Sequence, residues 1–553
     1  MVSATARRAW AVRSQDQPSD RKEDVSESVE PNGIIVQGPT PQVTTSRRLV
    51  WNSISNMVTL VGNAAINFYL IGFFVGVLGE AKYGVWLLLG GTIFRYGPLL
   101  NIGLSSAINR YVPVMLTKQD YEGISRVTST SLFFFSGTAV VLLAITTVLY
   151  VYLDRWFAIG PELVPTARVL VVVVGLGFAL AMPFQVGSGV LSGLQRFDAI
   201  NYVFMATLLL RTVIVMVLLS RGYGLVTLAL VFGATELAMR GIQTLWSRLL
   251  LRQSLFSPKR IDLRLLKEML KYGVNTFLYM MGALIIYHAS SLVIGIFIGP
   301  AQISQFTVAS AGVFVLSQLV QALTSVIKPA ISDLDARDQT DHVRQLGLLA
   351  QKYSLLLLLP STWFLIVMGR QFLDVWVGSE LTPEVLQQMG TVLAILAVGY
   401  FALLAQYSNF LVLVGRGQHR IFGLLTVGAA VLCVAGAVVT VKMLHLGLVG
   451  IAWANCIPMV LISGVILPIY FYRKMNISAR ESIVRVWWPA LLGSIPGAAL
   501  VSAWKYIAPP DSRVEIFAVV AAVAAVTLSW SWFASLEPIE RRRFVGVLAA
   551  RSR

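Results

Sequence analysis

The sequence predicts an all-α polytopic membrane protein of about fourteen transmembrane helices, and three observations carry that prediction. Its composition is 56% hydrophobic and 13% charged, far from the roughly 45–50% apolar and roughly 25% charged balance of soluble domains. Between Leu49 and Phe533, apolar stretches alternate with short polar joints, each stretch close to the about 20 residues that cross a hydrocarbon core. The 44 Lys and Arg are unevenly placed: with those near a stretch end counted in the adjoining joint, 33 fall in the tails and even-numbered joints, 8 in odd-numbered joints and 3 deep inside stretches.

Taken in order, the spans cover 49–78, 83–112, 130–153, 168–192, 202–220, 224–247, 272–298, 304–328, 349–369, 385–414, 421–441, 447–472, 486–505 and 514–533. Spans five and six are separated only by Arg221-Gly222-Tyr223-Gly224, a turn signal. The basic bias orients the chain with both tails on the cytoplasmic side. It also accounts for the net charge of +17 without nucleic acid as a partner. Residues 1–46 mix Ser, Pro, Gln and both charge signs without periodicity, which predicts a disordered cytoplasmic tail. That tail has no signal-peptide core, so the first span is expected to start insertion. Two cysteines, Cys433 and Cys456, both within spans, exclude a disulfide framework and a cysteine-rich zinc site. No GxxxxGK[ST] loop occurs, and no cofactor or metal is expected. Asp333-Leu334-Asp335 is expected to be an acidic patch in a solvated joint.

Function must then come from polar groups inside the membrane. In the first span Asn52, Asn56, Thr59, Asn63 and Asn67 recur every three or four residues, which at about 100° per residue is one narrow stripe. Lipid cannot satisfy those amides, so the stripe faces protein or a hydrated cavity. Arg95 lies mid-span in the second stretch, followed by Pro98, which predicts a kink. A guanidinium at that depth costs about 2.5–3.5 kcal/mol on insertion scales, which marks Arg95 as a substrate-binding candidate. Arg211, central in span five, is a second candidate. Arg110 and Lys328, at the cytoplasmic ends of spans two and eight, could share an anion-binding mouth, with Gln321 on the polar stripe Ser317, Gln321, Thr324 above Lys328. Glu236 and Arg240 sit four apart in span six, the spacing of an intrahelical ion pair. Structural neutralisation is the first reading of that pair; with His288 in span seven, Glu236 and Arg240 are also the ion-coupling candidates, as the second reading.

An internal repeat organises these spans. Gly79-Glu80-Ala81-Lys82 aligns with Gly299-Pro300-Ala301-Gln302, and Gly224-Leu225-Val226 with Gly447-Leu448-Val449, at nearly one offset. Two six-helix lobes, 47–248 and 272–473, follow, joined by a basic linker at 249–271. Two additional helices occupy 474–533 and a basic tail 534–553. Lobes of equal topology are related by an axis along the membrane normal and place substrate between them.

The 6+6+2 plan, the joint Leu78-Gly79-Glu80-Ala81-Lys82-Tyr83-Gly84, the segment Asn101-Ile102-Gly103-Leu104-Ser105-Ser106-Ala107-Ile108-Asn109-Arg110 and Lys328-Pro329 together resemble the polysaccharide transporters and O-antigen flippases of the MOP, or MATE-like, superfamily. The resemblance covers about residues 47–533. It implies a flippase, not an enzyme, moving a polyprenyl-pyrophosphate-linked oligosaccharide across a bacterial inner membrane for O-antigen, capsule or exopolysaccharide synthesis. It also implies membrane lipids and a polymerase or glycosyltransferase as partners, and leaves a coupling cation, H+ or Na+, open. Relatives often carry an acid before the Gly-Leu of span two, where this chain has Asn101. A lipid II flippase and a MATE-type exporter of drugs or small solutes are the alternative readings. A MATE-type exporter wants membrane carboxylates, and spans one, two, seven and eight have none.

Overall fold

In a computed structural model, the structure describes residues 46–542 except 252–256, 325–326, 379–380, 417–419, 508 and 539, without the side chains of 46–54, 92–94, 98, 274–276, 278–280, 328–329 and 420. The predicted tail, 1–46, falls almost wholly outside the described residues. Among those described there is no strand, and helices follow one another throughout. The first half contains α1 (Ser46–Trp86), a distorted segment Leu87–Asn101, α2 (Leu104–Thr117), α3 (Tyr121–Trp156), α4 (Val164–Ala181), α5 (Gln185–Gly193), α6 (Phe197–Ser220) and α7 (Leu225–Leu251). The second contains α8 (Leu263–Phe297), α9 (Pro300–Thr324), α10 (Ile327–Ala336), α11 (Thr340–Val377), α12 (Pro383–Leu404), α13 (Tyr407–Gly415), α14 (Arg420–Lys442), α15 (Gly447–Pro458) and α16 (Leu467–Lys474). The short α17 (Ala479–Ser482) then leads into α18 (Trp488–Ile507) and α19 (Arg513–Ala534).

Twelve helical stretches among the described residues are long and apolar enough to span a membrane, with Met281–Phe297 a shorter thirteenth, so this is a multi-pass membrane protein. One of the twelve, Ser55–Asn101, is two predicted spans in a single run. The chain bends sharply inside it at Gly79 (φ 74°, ψ 165°). Phe74 and Tyr83 have ring centroids 5.7 Å apart, whereas nine residues of straight helix rise about 13.5 Å. The positive φ explains a glycine at this joint.

The two halves repeat one packing plan. α1 packs on α6 as α8 does on α14, α3 on α4 as α11 on α12, α4 on α7 as α12 on α15, and α2 on α5 as α10 on α13. The predicted single spans 168–192 and 385–414 are each divided in the structure, at Met182–Phe184 between α4 and α5 and at Ala405–Gln406 between α12 and α13. Hydropathy is blind to such a break because the residues on both sides are apolar. Two pseudo-repeated six-helix bundles with two further C-terminal helices therefore make up the fold.

The bundles meet along two seams, α1 against α9 and α2 against α8. Each seam has a point where only glycine fits. A Cβ on Gly84 would overlap the Pro300 carbonyl, and one on Gly103 (φ 74°) would overlap the Gly273 carbonyl. Phe68 of α1 stacks on Trp376 of α11 at 4.1 Å, and the Ala158 N–H donates to the Gly295 carbonyl at 2.9 Å. The linker is docked on α3, with the Ser257 N–H donating to Ser129 Oγ (2.9 Å) and the Asp262 N–H to Thr130 Oγ1 (3.0 Å). Asp262 caps α8, and the N–H groups of Leu265 and Arg264 hold its carboxyl below the usual carboxylate range.

The C-terminal helices are bolted to the second bundle by charge. Lys352 of α11 is almost fully buried and donates to both Glu540 oxygens at 2.7 Å and to the Ser535 carbonyl at 3.2 Å. Arg344, two turns earlier, pairs with Glu481 beside α17. Removing one partner of a buried pair costs more than replacing both by apolar residues. Glu540→Ala should therefore destabilise the protein by about 3–5 kcal/mol, while Lys352→Met with Glu540→Leu should recover most of that loss. Thermal unfolding of the detergent-solubilised variants measures the difference, and equal melting temperatures for the two would show that an unpaired Lys352 is not the source of the loss.

Candidate functional site

The helix between Tyr83 and Arg110 is broken in mid-membrane. α1 gives way to a π-helical stretch, Leu87–Ile93, and then a 3₁₀ stretch, Phe94–Asn101, before α2 restarts. Ile102 (φ 45°) and Gly103 (φ 74°) stand at the restart. Asn101 supplies the missing cap, its Oδ1 accepting from the Ser105 N–H at 3.1 Å and its Nδ2 donating to Ser105 Oγ at 2.7 Å. The Pro98 backbone lies inside the 3₁₀ stretch, where the lost N–H does no harm. Distorted helix at membrane depth is tolerated only where protein or a cavity lines it, and π-helical turns concentrate at functional sites.

Arg95 occupies this break. Its side chain is exposed at the break. The groups within its electrostatic reach are Tyr83, from the same arm, and His288, from α8 of the other bundle. Arg95 and His288, expected separately, are thus brought together across the junction of the bundles. At the offset of 220 that relates Gly79 to Gly299, Arg95 corresponds to Val315, in an α9 that runs unbroken over Pro300–Thr324.

The asparagine stripe of α1 divides. Asn56 accepts from Asn201 Nδ2 of α6 at 2.6 Å, and Ser55 accepts from the same amide at 3.1 Å. That end of the stripe is a helix contact. Asn63 and Asn67 bond to each other, Asn67 Nδ2 reaching both the Asn63 carbonyl and its Oδ1 at 2.8 Å. Asn67 stays exposed. Val58 and Val61 are exposed on the opposite face, 60% and 44%, so α1 has an open apolar side and an open polar side. The Asn52 side chain lies outside the described residues.

Arg110 is exposed on α2, with its guanidinium 4.5 Å from the Tyr272 ring of α8. The side chain of Lys328, its expected partner, lies outside the described residues. Gln321 is half-buried on α9, while its stripe neighbours Ser317 and Thr324 are fully buried and donate to their own helix at Phe314 (2.8 Å) and Val320 (2.7 Å). Those two hydroxyls serve packing.

Arg211, Glu236 and Arg240 form a separate cluster within the first bundle. Arg240 Nε is 2.9 Å from Glu236 Oε1 and its Nη1 is 3.5 Å from Ser188 Oγ of α5. Arg211 lies 4.4 Å over the Phe232 ring, within electrostatic reach of Glu236. On α7, Glu236 and Arg240 share the side of buried Leu228, Ala229 and Gln243, opposite exposed Leu230, Ile242 and Leu245. Their 21% and 27% side-chain exposure is therefore to interior space, not lipid. Sequence reasoning anticipated the pair but not Arg211, Ser188 or Phe232 beside it, because those contacts join helices far apart in the chain. No group of three or more His, Cys, Asp or Glu that could hold a metal occurs among the described residues.

Known proteins fall in line with this geometry. No curated protein sequence matches the chain. Among solved structures, the lipid II flippase MurJ in an inward closed conformation aligns with a TM-score of 0.63 at 14% identity, over 85% of this chain and 98% of that one. A multidrug resistance MATE family transporter of the MOP superfamily, inward-facing, aligns with a TM-score of 0.59 at 18% identity over 78% and 98%. A MOP superfamily transporter from Pyrococcus furiosus, described by the reverse polarity of its binding pocket, aligns with a TM-score of 0.52 at 16% identity over 78% and 96%. Residues 77–386, which hold the broken helix, both bundle seams and the arginine cluster, match the family described as polysaccharide biosynthesis protein, and the chain belongs to that family, built on the MOP superfamily transporter fold.

Proposed function

We propose that this protein flips a polyprenyl-pyrophosphate-linked oligosaccharide from the cytoplasmic to the outer leaflet of a bacterial inner membrane, by rocking of its two lobes. The observation that carries the reading is Arg95: an exposed cation at a helix break, between bundles whose facing spans 49–78, 83–112, 272–298 and 304–328 contain no carboxylate, Glu80 lying in the joint between the first two and held by Gln305. Such a site suits a pyrophosphate, which a guanidinium binds through paired charge-assisted hydrogen bonds. Asn63 and Asn67, with hydrogen-bonding capacity left over, suit sugar hydroxyls. The apolar face of α1, opposite that polar face, lets a polyprenyl tail remain in lipid while the head is inside.

The partition into lobes at 47–248 and 272–473, a linker at 249–271 and helices within 474–533 belongs to this proposal, as do cytoplasmic termini. Membrane potential, negative inside, favours outward movement of two negative charges by about 4.6 kcal/mol per 100 mV, and a co-transported H+ or Na+ would subtract its own charge. A polymerase or glycosyltransferase would act before or after the flip. Lipid II offers the same pyrophosphate, so a lipid II flippase is the nearest second reading. A MATE-type cation exporter fits poorly with an arginine-lined interior.

Three outcomes test the assignment. Cells lacking the protein should accumulate polyprenyl-pyrophosphate oligosaccharide on the cytoplasmic face, as read by an impermeant glycan-modifying enzyme on oriented vesicles; normal amounts on the normal side would overturn the flippase reading. Arg95→Ala should insert normally yet lower glycan export on the order of tenfold or more, the scale of one lost charge-assisted contact. Asn63→Leu combined with Asn67→Leu should impair export more than Cys433→Ala, a buried thiol in α14; equal effects would return the stripe to packing.

A further inference from the structure

The arginine cluster of the first bundle is open to a second use. We propose that Arg211 and Arg240 form a phosphate-binding subsite separate from Arg95, and that Glu236 is its built-in counter-ion, displaced when the phosphate arrives. The inference rests on the flippase reading for the identity of the physiological ligand, but the subsite itself rests on the cluster's own geometry.

Arg240 is paired with Glu236, while Arg211 lies over the Phe232 ring one turn before Glu236 on α7, so two guanidiniums stand by one carboxylate and the cluster keeps a net positive charge after internal pairing. A cation site would need the reverse ratio. Ser188 Oγ, 3.5 Å from Arg240, adds a neutral donor beside the guanidinium. Gln243, one turn below Arg240 on the same face of α7, is 2% exposed and its Oε1 has no partner, so polar capacity beside the cluster is not used up. The second bundle supplies an internal control. At the offset of 223 that relates Gly224 to Gly447, Arg211, Glu236 and Arg240 correspond to Val434, Met459 and Ser463. One repeat therefore packs this position without charge, which means the fold does not require the cluster for stability. Three charges retained inside a membrane bundle that can do without them point to a ligand.

The Glu236 carboxylate resolves the cost of two unpaired guanidiniums when no ligand is present. It occupies the face a phosphate oxygen would take on Arg240 Nε, so phosphate and Glu236 compete. A ligand bound by exchange leaves when the carboxylate returns, which a transporter needs in order to release cargo.

The probe is inorganic pyrophosphate, titrated into the purified full-length protein in nanodiscs at fixed ionic strength. An Arg95→Ala background keeps that cation out of the signal. Binding should tighten about tenfold in Glu236→Gln and weaken about tenfold in Arg240→Gln and in Arg211→Gln. The double variant Glu236→Gln with Arg240→Gln, which removes both charges of the pair, should bind more weakly than Glu236→Gln alone. Unchanged or weaker binding in Glu236→Gln would overturn the proposal. So would sodium-dependent thermal stabilisation that disappears in Glu236→Gln, which would make the cluster a cation site. The probe carries neither glycan nor lipid, so this result and the sidedness of glycan in cells stand or fall independently.

Discussion

Hydrocarbon offers no hydrogen-bond partner, and the helix break at Leu87–Gly103 is where that constraint acts hardest on this protein. A regular helix satisfies its own backbone, but π and 3₁₀ turns re-route the bonds and leave groups that protein or water must serve. The break is accordingly walled by α4 and by α8, which reaches over from the second bundle. Closure of the two bundles, the glycines at their seams and the exposure of Arg95 at the break are thus consequences of one local irregularity. A straight helix at this position, as its counterpart α9 shows, carries Val315 in place of the arginine and creates no such demand.

The repeat separates what architecture needs from what chemistry needs. Both bundles keep the same helix neighbours and the same division of their fourth helix, at α4/α5 and α12/α13. Only the first keeps Arg95, Arg211, Glu236 and Arg240 where the second has Val315, Val434, Met459 and Ser463. The second bundle puts its polar groups to structural use instead. Asn455 is buried and donates to Ser290 Oγ of α8 at 2.8 Å and to the Ile451 carbonyl of its own helix at 2.8 Å. Its buried charges bolt on α18 and α19 through Lys352. The picture is of one lobe specialised for charge and one for mechanical continuity with the C-terminal helices.

Most of the fold was legible in the sequence because hydropathy and basic-residue bias report directly on the solvent each segment meets. The readings that differed were those with no hydropathic cost: the breaks at Met182–Phe184 and Ala405–Gln406, and the extension of α3 and α11 upstream of their apolar cores to Tyr121 and Thr340. Site residues were legible where the cost of burial was large, as for Arg95 and the Glu236–Arg240 pair. The asparagine stripe was legible as a stripe, but its division between a zipper to Asn201 and an open upper end was not, because a period specifies a face and not what lies opposite. Ser317 and Thr324 show the same limit in reverse, since their hydroxyls turn back on the carbonyls of their own helix and need nothing opposite.

Closure of the seams constrains how any large ligand could reach Arg95. Gly84 against Pro300 and Gly103 against Gly273 bring backbone to backbone on both seams, and no oligosaccharide passes between chains in that contact. On the proposed flippase reading, a seam must therefore open for access. Separation at the glycines themselves breaks only backbone dispersion, but the α1–α9 seam must also give up the hydrogen bond that Gln305 Nε2 donates to Glu80 Oε2 at 3.0 Å. The more expensive contacts, Phe68 on Trp376 and Arg110 on Tyr272, sit on different seams, the first between α1 and α11 and the second between α2 and α8. Opening one seam can leave the other's aromatic contact intact, which is the energetic condition for access that alternates instead of leaking.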